Sequence, residues 1–350
     1  MASRIRVLVV DDSALMRQIL ASLLASDPSI EVVGTAPDPM VAREKIKLLN
    51  PDVLTLDVEM PRMDGLAFLE KVMTLRPMPV VMVSSLTDAG AEATVRALEL
   101  GAVDVFCKPA DAGGGWAAHG RELIDKVKAA AAARVHCFTR QPPPGRALAV
   151  GAGAEDMLVA VGSSTGGVEA LRQILTALPA NSPPVVMAQH IPARFSASFA
   201  YRVDAAADIR VKEAEDGDRL TPGLALIAPG DRHLSVRRQG GALVARVEDG
   251  PLVGGHKPSV NVLFHSVAET CGARAVGVIL TGMGRDGAEG LLAMRNAGAA
   301  TIGQDESSCV VYGMPRAARD IGAVETELPL SRIPEGILRL CQADHRGFER

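Results

Sequence analysis

Three features are scarce in this 350-residue chain: aromatic side chains, long apolar runs and an excess of one charge. Aromatic residues make up 3% of the sequence and the net charge is −4, which argues against a nucleic-acid partner. No apolar run approaches the ~18 residues of a membrane-spanning helix, and two aspartates stop the N-terminal run before it resembles a signal peptide. We therefore expect a globular protein with no nucleic-acid partner and no direct membrane insertion.

Paired cysteines are also lacking. The five cysteines are odd in number, scattered and never spaced as C-x-x-C: Cys107, Cys137, Cys271, Cys309 and Cys341. This pattern is typical of free or buried thiols in a reducing compartment rather than of a disulfide framework. We expect a cytoplasmic protein.

The length exceeds what one hydrophobic core usually serves, so we expect two domains. In the first half, apolar runs at residues 5–10, 32–36, 52–57, 79–84 and 103–107 predict strands that alternate with helices. Such alternation predicts a parallel sheet with helices on both faces, a flavodoxin-like α/β fold. We place this domain at residues 1–133, a Pro- and Gly-rich linker at 134–155, and a second domain at 156–345.

Polar residues follow the predicted strands of the first half, where parallel sheets bind ligands. They are Asp11 and Asp12 after the first strand, Asp57 after the third, Ser84 after the fourth and Lys108 after the fifth. Clustered carboxylates repel one another unless a cation neutralises them, and their oxygens suit Mg²⁺. Each aspartate alone is better explained as a helix cap or a solvated loop acid. Their convergence favours a phosphoryl-accepting site with Asp57 as the nucleophile.

The segments VVDDSALMRQ, LDVEMPRMDG, MVSSLT and VFCKPA resemble the receiver domains of two-component response regulators. The resemblance implies that Asp57 is the phosphoacceptor and that Mg²⁺ is bound by the carboxylates of Asp11, Asp12 and Asp57. It also implies that Ser84 and Lys108 contact the phosphoryl group and that the Lys108–Pro109 peptide bond is cis. The sequence departs from many receivers at Val105, where they carry an aromatic switch residue.

In the second half, an apolar run leads into the turn GSSTGG and then a helical pattern. Residues 162–166 match the Gly-x-Ser-x-Gly nucleophile elbow, with Ser164 at its centre. A chain of this length shows such a match by chance roughly one time in ten. A Gly-rich turn before a helix also suits a phosphate, so both interpretations stay open at this point.

Further apolar runs predict a second doubly wound, Rossmann-like sheet, with strands near residues 157–161, 184–189, 275–280 and 300–304. Between them, residues 209–248 show short strands and turn signals, which we interpret as an antiparallel insert.

Ser164, His190 and Asp286 each follow a separate predicted strand of this sheet. A serine needs a base, and the base needs an orienting carboxylate, so the three predict a hydrolase triad. Each has a plainer alternative: His190 as a core histidine, and Asp286 with Glu289 as a capping box of the next helix. The order Ser…His…Asp differs from that of ordinary α/β-hydrolases.

The strings VGSSTGG, QHIP, KPSVN, TGMGRDGA and YGMPRAA resemble the catalytic domain of the chemotaxis protein-glutamate methylesterases. The resemblance implies that Ser164 is the nucleophile, His190 the general base and Asp286 its orienting partner. It implies an oxyanion hole from the backbone N–H groups of Thr165 and Met283. Asn261 departs from the family, which usually has aspartate there.

The resemblance implies hydrolysis of glutamate γ-methyl esters on methylated chemoreceptors, which releases methanol, and deamidation of receptor glutamines. It implies no cofactor for the esterase step. A CheA-type histidine kinase would phosphorylate the receiver, which obstructs the esterase site until then. Two other classes stay open: a response regulator that only binds a partner, and a nucleotide-binding output domain, against which the absence of Gly-x-x-x-x-Gly-Lys-Ser/Thr argues.

Overall fold

The computed structural model describes residues 4–60, 64–85, 87–109, 116–133, 150 and 154–342. The chain divides into two compact units, Met1–Arg140 and Gln141–Arg350. The linker predicted over 134–155 lies almost wholly outside the described residues, so the predicted domain boundaries stay predictions. Among the described helices, none has the length and apolar character needed to cross a lipid bilayer.

The first unit contains a five-stranded parallel sheet in the order β2-β1-β3-β4-β5. Its strands are β1 Ile5–Val10, β2 Ile30–Ala36, β3 Val53–Asp57, β4 Val80–Ser84 and β5 Asp104–Cys107. Its helices are α1 Ala14–Ala25, α2 Pro39–Leu49, α3 Gly65–Leu75, α4 Asp88–Glu99 and α5 Trp116–Ala132. β3 and β4 are buried along their whole length, as strands covered on both faces are. The predicted fold class is confirmed.

The strand order of this sheet reverses between β1 and β3, which leaves a crevice at their carboxyl ends. Asp11 follows β1 and Asp57 is the last residue of β3. The Oδ1 atom of Asp11 accepts a hydrogen bond of 2.9 Å from the Ser13 N–H, just before α1 begins. The fold therefore brings these two carboxylates to one crevice.

The second unit contains a seven-stranded sheet in the order β14-β13-β12-β6-β7-β9-β8 and a separate β10-β11 pair. The strands are β6 Leu158–Ser163, β7 Val185–Gln189, β8 Arg210–Glu213, β9 Leu224–Ile227, β10 His233–Gln239, β11 Ala242–Glu248, β12 Ala275–Ile279, β13 Ala300–Gln304 and β14 Thr326–Leu328. The helices are α6 Gly167–Ala177, α7 Ala193–Asp204, α8 Val260–Cys271, α9 Ala288–Asn296, α10 Met314–Asp320 and α11 Ile333–Gln342.

The insert expected at residues 209–248 is antiparallel only in its second part, where β10 and β11 form a hairpin. β8 and β9 instead extend the main sheet, each parallel to its neighbour. The sequence pattern identifies short strands but not their direction. Residues 214–223, which connect β8 to β9, are long enough to return the chain to the same end of the sheet. β14 and α11 were not predicted.

Helix α8 packs against the carboxyl end of β6 because Gly162 has no side chain. A Cβ atom on Gly162 would lie 2.1 Å from Val260 Cγ1 and 3.1 Å from Phe264 Cζ, both well inside van der Waals contact. Val260 and Phe264 are fully buried. This close approach places the N-terminus of α8 beside the residues that follow β6.

We expect Gly162→Ala to destabilise the second unit by about 1–3 kcal/mol, because the added methyl group overlaps Val260 in a filled core. Urea unfolding followed by circular dichroism measures the change. Ser164→Ala is a matched control two residues away, since it adds no atom, and it should stay within about 0.5 kcal/mol of the wild type. A Gly162→Ala protein as stable as this control would show that α8 is not closely packed here.

Candidate functional site

The first unit contains a cluster of three aspartates at the crevice between β1 and β3. One carboxylate oxygen from each of Asp11, Asp12 and Asp57 lies within 4.8 Å of the others. Lys108, which follows β5, places its Nζ atom 3.0 Å from Asp11 Oδ2 and 2.9 Å from Asp57 Oδ2. The structure thus brings together four of the five residues predicted for this site.

Burial and neighbouring charges shift the pKa values of Asp57 and Lys108 in this cluster. Burial raises the pKa of Asp57 to about 6, against the opposing hydrogen bond and charge of Lys108. Burial alone would lower the pKa of Lys108, but the hydrogen bonds and charges of Asp57 and Asp11 raise it overall. A single ammonium therefore faces more than one buried carboxylate, which favours the binding of a further cation.

The cluster fits Mg²⁺ by its donor set and by its unused bonding capacity. All three side chains offer hard carboxylate oxygens, the ligands that Mg²⁺ prefers. Asp11 Oδ2 is buried, and its polar contact among the described residues is the ion pair with Lys108 Nζ, so it retains a lone pair for a metal ion. A cavity of about 480 Å³ adjoins the cluster, which leaves space for water and a phosphoryl group, and is lined by Asp12, Asp57, Glu59, Met60, Ser85 and Lys108.

Ser84 lies at the carboxyl end of β4 and is fully buried. Its hydroxyl donates to the Ser85 carbonyl at 3.2 Å and, within the described part of the chain, forms no hydrogen bond with the side chain of Asp57 or Lys108. Val105 on β5 is also buried.

The expected cis peptide bond at Lys108–Pro109 is not present. Within the described residues, the cis bond is Lys257–Pro258. The two isomers of an X–Pro bond differ by only about 0.5–1 kcal/mol, so proline in the sequence does not by itself select one.

In the second unit, Ser164 lies in the sharp turn between β6 and α6. Its N–H donates to the Thr281 carbonyl at 3.0 Å, and its own carbonyl accepts from the Gly167 N–H at 2.7 Å. Ser164 is half-buried, and its hydroxyl forms no hydrogen bond to any described residue. The backbone of the turn is therefore fixed while the hydroxyl is available for reaction.

His190 and Asp286 form a buried pair, with Nε2 of the imidazole 2.9 Å from Asp286 Oδ2. Burial would raise the pKa of Asp286, but the hydrogen bond and charge of His190 and the amides of Val260 and Asn261 lower it to about 2. The carboxylate is therefore ionised at neutral pH and assigns the proton of a neutral His190 to Nε2. Nδ1 is left bare, buried and without a hydrogen-bond partner among the described residues.

Asp286 does not cap the helix that follows it. Helix α9 begins after Gly287 and has no side-chain capping bond. The carboxylate instead accepts from the N-terminus of α8: 2.9 Å from Ser259 Oγ, 2.7 Å from the Val260 N–H and 3.1 Å from the Asn261 N–H. The capping-box interpretation is therefore wrong for α9, since Asp286 accepts hydrogen bonds from the N-terminus of α8 instead.

Ser164 and His190 follow neighbouring strands in matched register. Ser163 pairs with Gln189 across β6 and β7, and the His190 N–H donates to the Ser163 carbonyl at 3.2 Å. No hydrogen bond joins Ser164 to His190 in the described structure. The structure thus brings His190 and Asp286 into contact and places Ser164 at the adjacent strand end, and a longer distance between nucleophile and base is common before a substrate binds.

The backbone near Met283 lies close to Ser164. A Cβ atom on Gly282 would lie 2.8 Å from Ser164 Cβ. The N–H of Met283 donates to no described residue, and its side chain is 37% exposed. Thr165 is buried, and its carbonyl accepts from Thr281 Oγ1 at 3.0 Å. The two predicted oxyanion donors therefore belong to segments that contact each other at the turn.

Two polar residues that support the turn were missed from the sequence. Gln189, at the end of β7, donates from Nε2 to the Ser164 carbonyl at 2.9 Å. Thr281 accepts the Val311 N–H at 3.0 Å through its hydroxyl. Both directly end or follow an apolar strand, which is the signal that could have identified them.

The Asn261 departure has a simple structural outcome. Its side-chain Oδ1 accepts a hydrogen bond of 2.8 Å from the Gly290 N–H near the start of α9. An aspartate oxygen accepts the same bond, so the amide preserves this link between α8 and α9.

Comparison with known proteins gives matches over both units. A family model for CheB methylesterase matches residues 159–337, and one for the response regulator receiver domain matches residues 7–114. A protein-glutamate methylesterase/protein-glutamine glutaminase of Chromohalobacter salexigens is 53% identical over 350 residues and 99% of both chains. The Escherichia coli protein of that name is 54% identical over 342 residues, 97% of this chain and 98% of its own.

A solved structure matches the second unit. The crystal structure of the Thermotoga maritima CheB methylesterase catalytic domain has a TM-score of 0.52 and 38% sequence identity. The match covers 53% of this chain and 98% of that one.

We expect Asp286→Asn to lose a pH-dependent part of the stability of about 2 kcal/mol, because the folded protein lowers the pKa of Asp286 from 3.8 to about 2. A lowered pKa stabilises the fold above the unfolded value, and this contribution is lost as the pH falls through the folded one. The difference in unfolding free energy between wild type and variant should have its full size above about pH 5 and fall by roughly half at pH 3. Urea unfolding at several pH values measures it.

Asp231→Asn, at an exposed aspartate, is the control and should differ from the wild type by the same small amount at each pH. A difference for Asp286→Asn that does not change with pH would contradict the charge-based account.

Proposed function

The chain belongs to the CheB methylesterase family, and from this premise we propose that Ser164, His190 and Asp286 carry out its hydrolysis, with Asp57 as the phosphorylation site. The activity is that of a phosphorylation-regulated protein-glutamate methylesterase and protein-glutamine glutaminase in chemotaxis. The observation that carries the residue assignment is the His190–Asp286 pair, which leaves Nδ1 without a hydrogen-bond partner among the described residues, while the backbone of His190 is bonded to Ser163, next to Ser164.

The reaction begins when Ser164 Oγ attacks the γ-carbonyl carbon of a methylated glutamate. His190 Nδ1 takes the hydroxyl proton, and the ionised Asp286 stabilises the imidazolium that forms. As the bond to the methoxy oxygen breaks, His190 returns the proton to it and methanol leaves. Water then attacks the acyl-serine with the same base, which restores the serine and releases the glutamate.

The charge that develops on the carbonyl oxygen needs donors that are in place before the reaction. We assign this role to the backbone N–H groups of Thr165 and Met283, at the turn that holds Ser164. A glutamine side chain enters the same sequence of steps, with ammonia in place of methanol as the leaving group.

The receiver half supplies the switch. In our proposal Asp57 accepts a phosphoryl group from a CheA-type histidine kinase, and Asp11, Asp12 and Asp57 hold Mg²⁺. The ion, when bound, neutralises charge on the transferring phosphoryl group. Lys108 pairs with the phosphoryl oxygens, and Ser84 donates to one of them after reorienting from the Ser85 carbonyl. The substrates in this proposal are methylated chemoreceptors.

Four of the thiols lie in described residues, at Cys107, Cys271, Cys309 and Cys341, and all four are free. Cys137 lies outside the described residues. Free thiols persist in reducing compartments, which supports our proposal that the protein works in the cytoplasm.

Ser164→Ala should reduce methanol release from methylated receptor membranes by at least roughly a thousandfold, because no other hydroxyl replaces the nucleophile. The variant should still accept phosphate at Asp57, and radiolabelled phosphoryl transfer provides that internal control. Turnover near the wild-type rate would remove Ser164 from the mechanism.

Asp57→Asn should keep the basal rate of methanol release and show no stimulation by a small-molecule phosphodonor, because the amide cannot form an acyl phosphate. Asp125→Asn, at an exposed position of α5, is the matched control and should be stimulated like the wild type. Full stimulation of Asp57→Asn would place the regulatory phosphate elsewhere.

A further inference from the structure

A second histidine lies flat against the proposed base. The rings of His190 and His256 are stacked, with centroids 3.8 Å apart and planes within 5° of parallel. His256 belongs to the segment between β11 and α8, and it is half-buried. None of the steps above uses this residue, although no other ring in the described structure lies so close to His190.

The stack supplies a constraint that Asp286 does not. The bond from Nε2 to Asp286 fixes one atom of the imidazole, but coupled rotation about χ1 and χ2 can still tilt the ring plane. Nδ1, which receives the serine proton, has no partner among the described residues to stop this rotation. Contact across the whole ring face fixes the plane, and the plane determines where Nδ1 points.

The backbone holds His256 in place with a tight hairpin. The N–H and carbonyl groups of Val253 and His256 bond each other in both directions, each at 3.1 Å. The two residues between them, Gly254 and Gly255, have φ values of 61° and 87°. Positive φ at both central positions is the type I′ arrangement, which glycine adopts at little cost. The hairpin therefore fixes the backbone from which the His256 side chain projects.

The same segment also supports the carboxylate. Lys257, next to His256, pairs its Nζ with Asp249 Oδ1 at 2.7 Å. Two residues later, Ser259 Oγ donates to Asp286 and the Ser259 N–H donates to His233 Nδ1 at 3.2 Å. Residues 256–259 thus contact both the ring face of His190 and the carboxylate of Asp286, which is hydrogen-bonded to Nε2 of that ring.

We propose that His256 is a positioning residue for the hydrolysis: its ring holds the plane of His190 so that Nδ1 faces Ser164, and its π face stabilises the imidazolium. This inference rests on the proposed function. A cation over an aromatic face within about 6 Å is attracted by the ring electrons, which adds to the purely geometric effect. The ring plane of His256 is the property to which the proposal assigns this role.

The test compares His256→Leu, which keeps the bulk without the plane, with His256→Phe, which keeps the plane without the nitrogens. His265→Ala, at an exposed histidine of α8, is the matched control. The full-length proteins are assayed for kcat and KM of methanol release from methylated receptor membranes with phosphodonor. The rate at which a fluorophosphonate labels Ser164 is measured on the same proteins, and thermal unfolding shows that each variant is folded.

We expect His256→Leu to lower kcat and the labelling rate by roughly tenfold to a hundredfold with little change in KM, because a misdirected base costs this much. His256→Phe should recover most of both rates, and His265→Ala should match the wild type. Equal losses in His256→Leu and His256→Phe, no loss in either, or a change confined to KM would each overturn the proposal. If Ser164→Ala stays active, the proposed function fails instead, so the two failures are distinguishable.

Discussion

The proposed active site of this protein depends on one buried carboxylate, that of Asp286. Asp286 accepts two hydrogen bonds on each oxygen, from His190 and the Val260 amide on one and from Ser259 and the Asn261 amide on the other. Taking a charge out of water is costly, so it needs this number of donors together with the positive end of α8. The carboxylate therefore fixes the loop after β12, the start of α8 and the tautomer of His190 at once.

The receiver half also contains buried carboxylates, but they are stabilised differently. Asp11 and Asp57 are also buried at the carboxyl ends of parallel strands, but one ammonium, that of Lys108, faces both of them. Burial then raises the pKa of Asp57, whereas the hydrogen bond and charge of His190 and the amides of Val260 and Asn261 lower that of Asp286. The contrast suits the two proposed roles: an incompletely neutralised cluster would attract a cation and a phosphoryl group, and a fully hydrogen-bonded carboxylate would keep a general base in one orientation.

Much of this organisation is predictable from the sequence, because polar residues that end apolar parallel strands must meet at one edge of a sheet. That rule locates Ser164, His190 and Asp57 without a structure. It does not reveal that Asp286 accepts hydrogen bonds from α8 instead of capping α9. The capping pattern involves neighbouring residues, whereas the bond to Val260 joins residues that are far apart in the sequence. The direction of β8 and the stacking of His256 on His190 also depend on tertiary packing that short-range patterns do not encode.

Glycine at position 162 also constrains how the sequence of this protein can evolve. A single added carbon at position 162 would overlap Val260 Cγ1. A larger side chain at position 162 therefore requires a smaller one at position 260 for the strand and the helix to pack at the same distance. The amide of Val260 in turn donates to Asp286, so a shift of α8 caused by a change at either position would also move a donor of the proposed active site. A side chain at position 162 would therefore cost less stability alongside a smaller residue at position 260, so we expect these two positions to vary together.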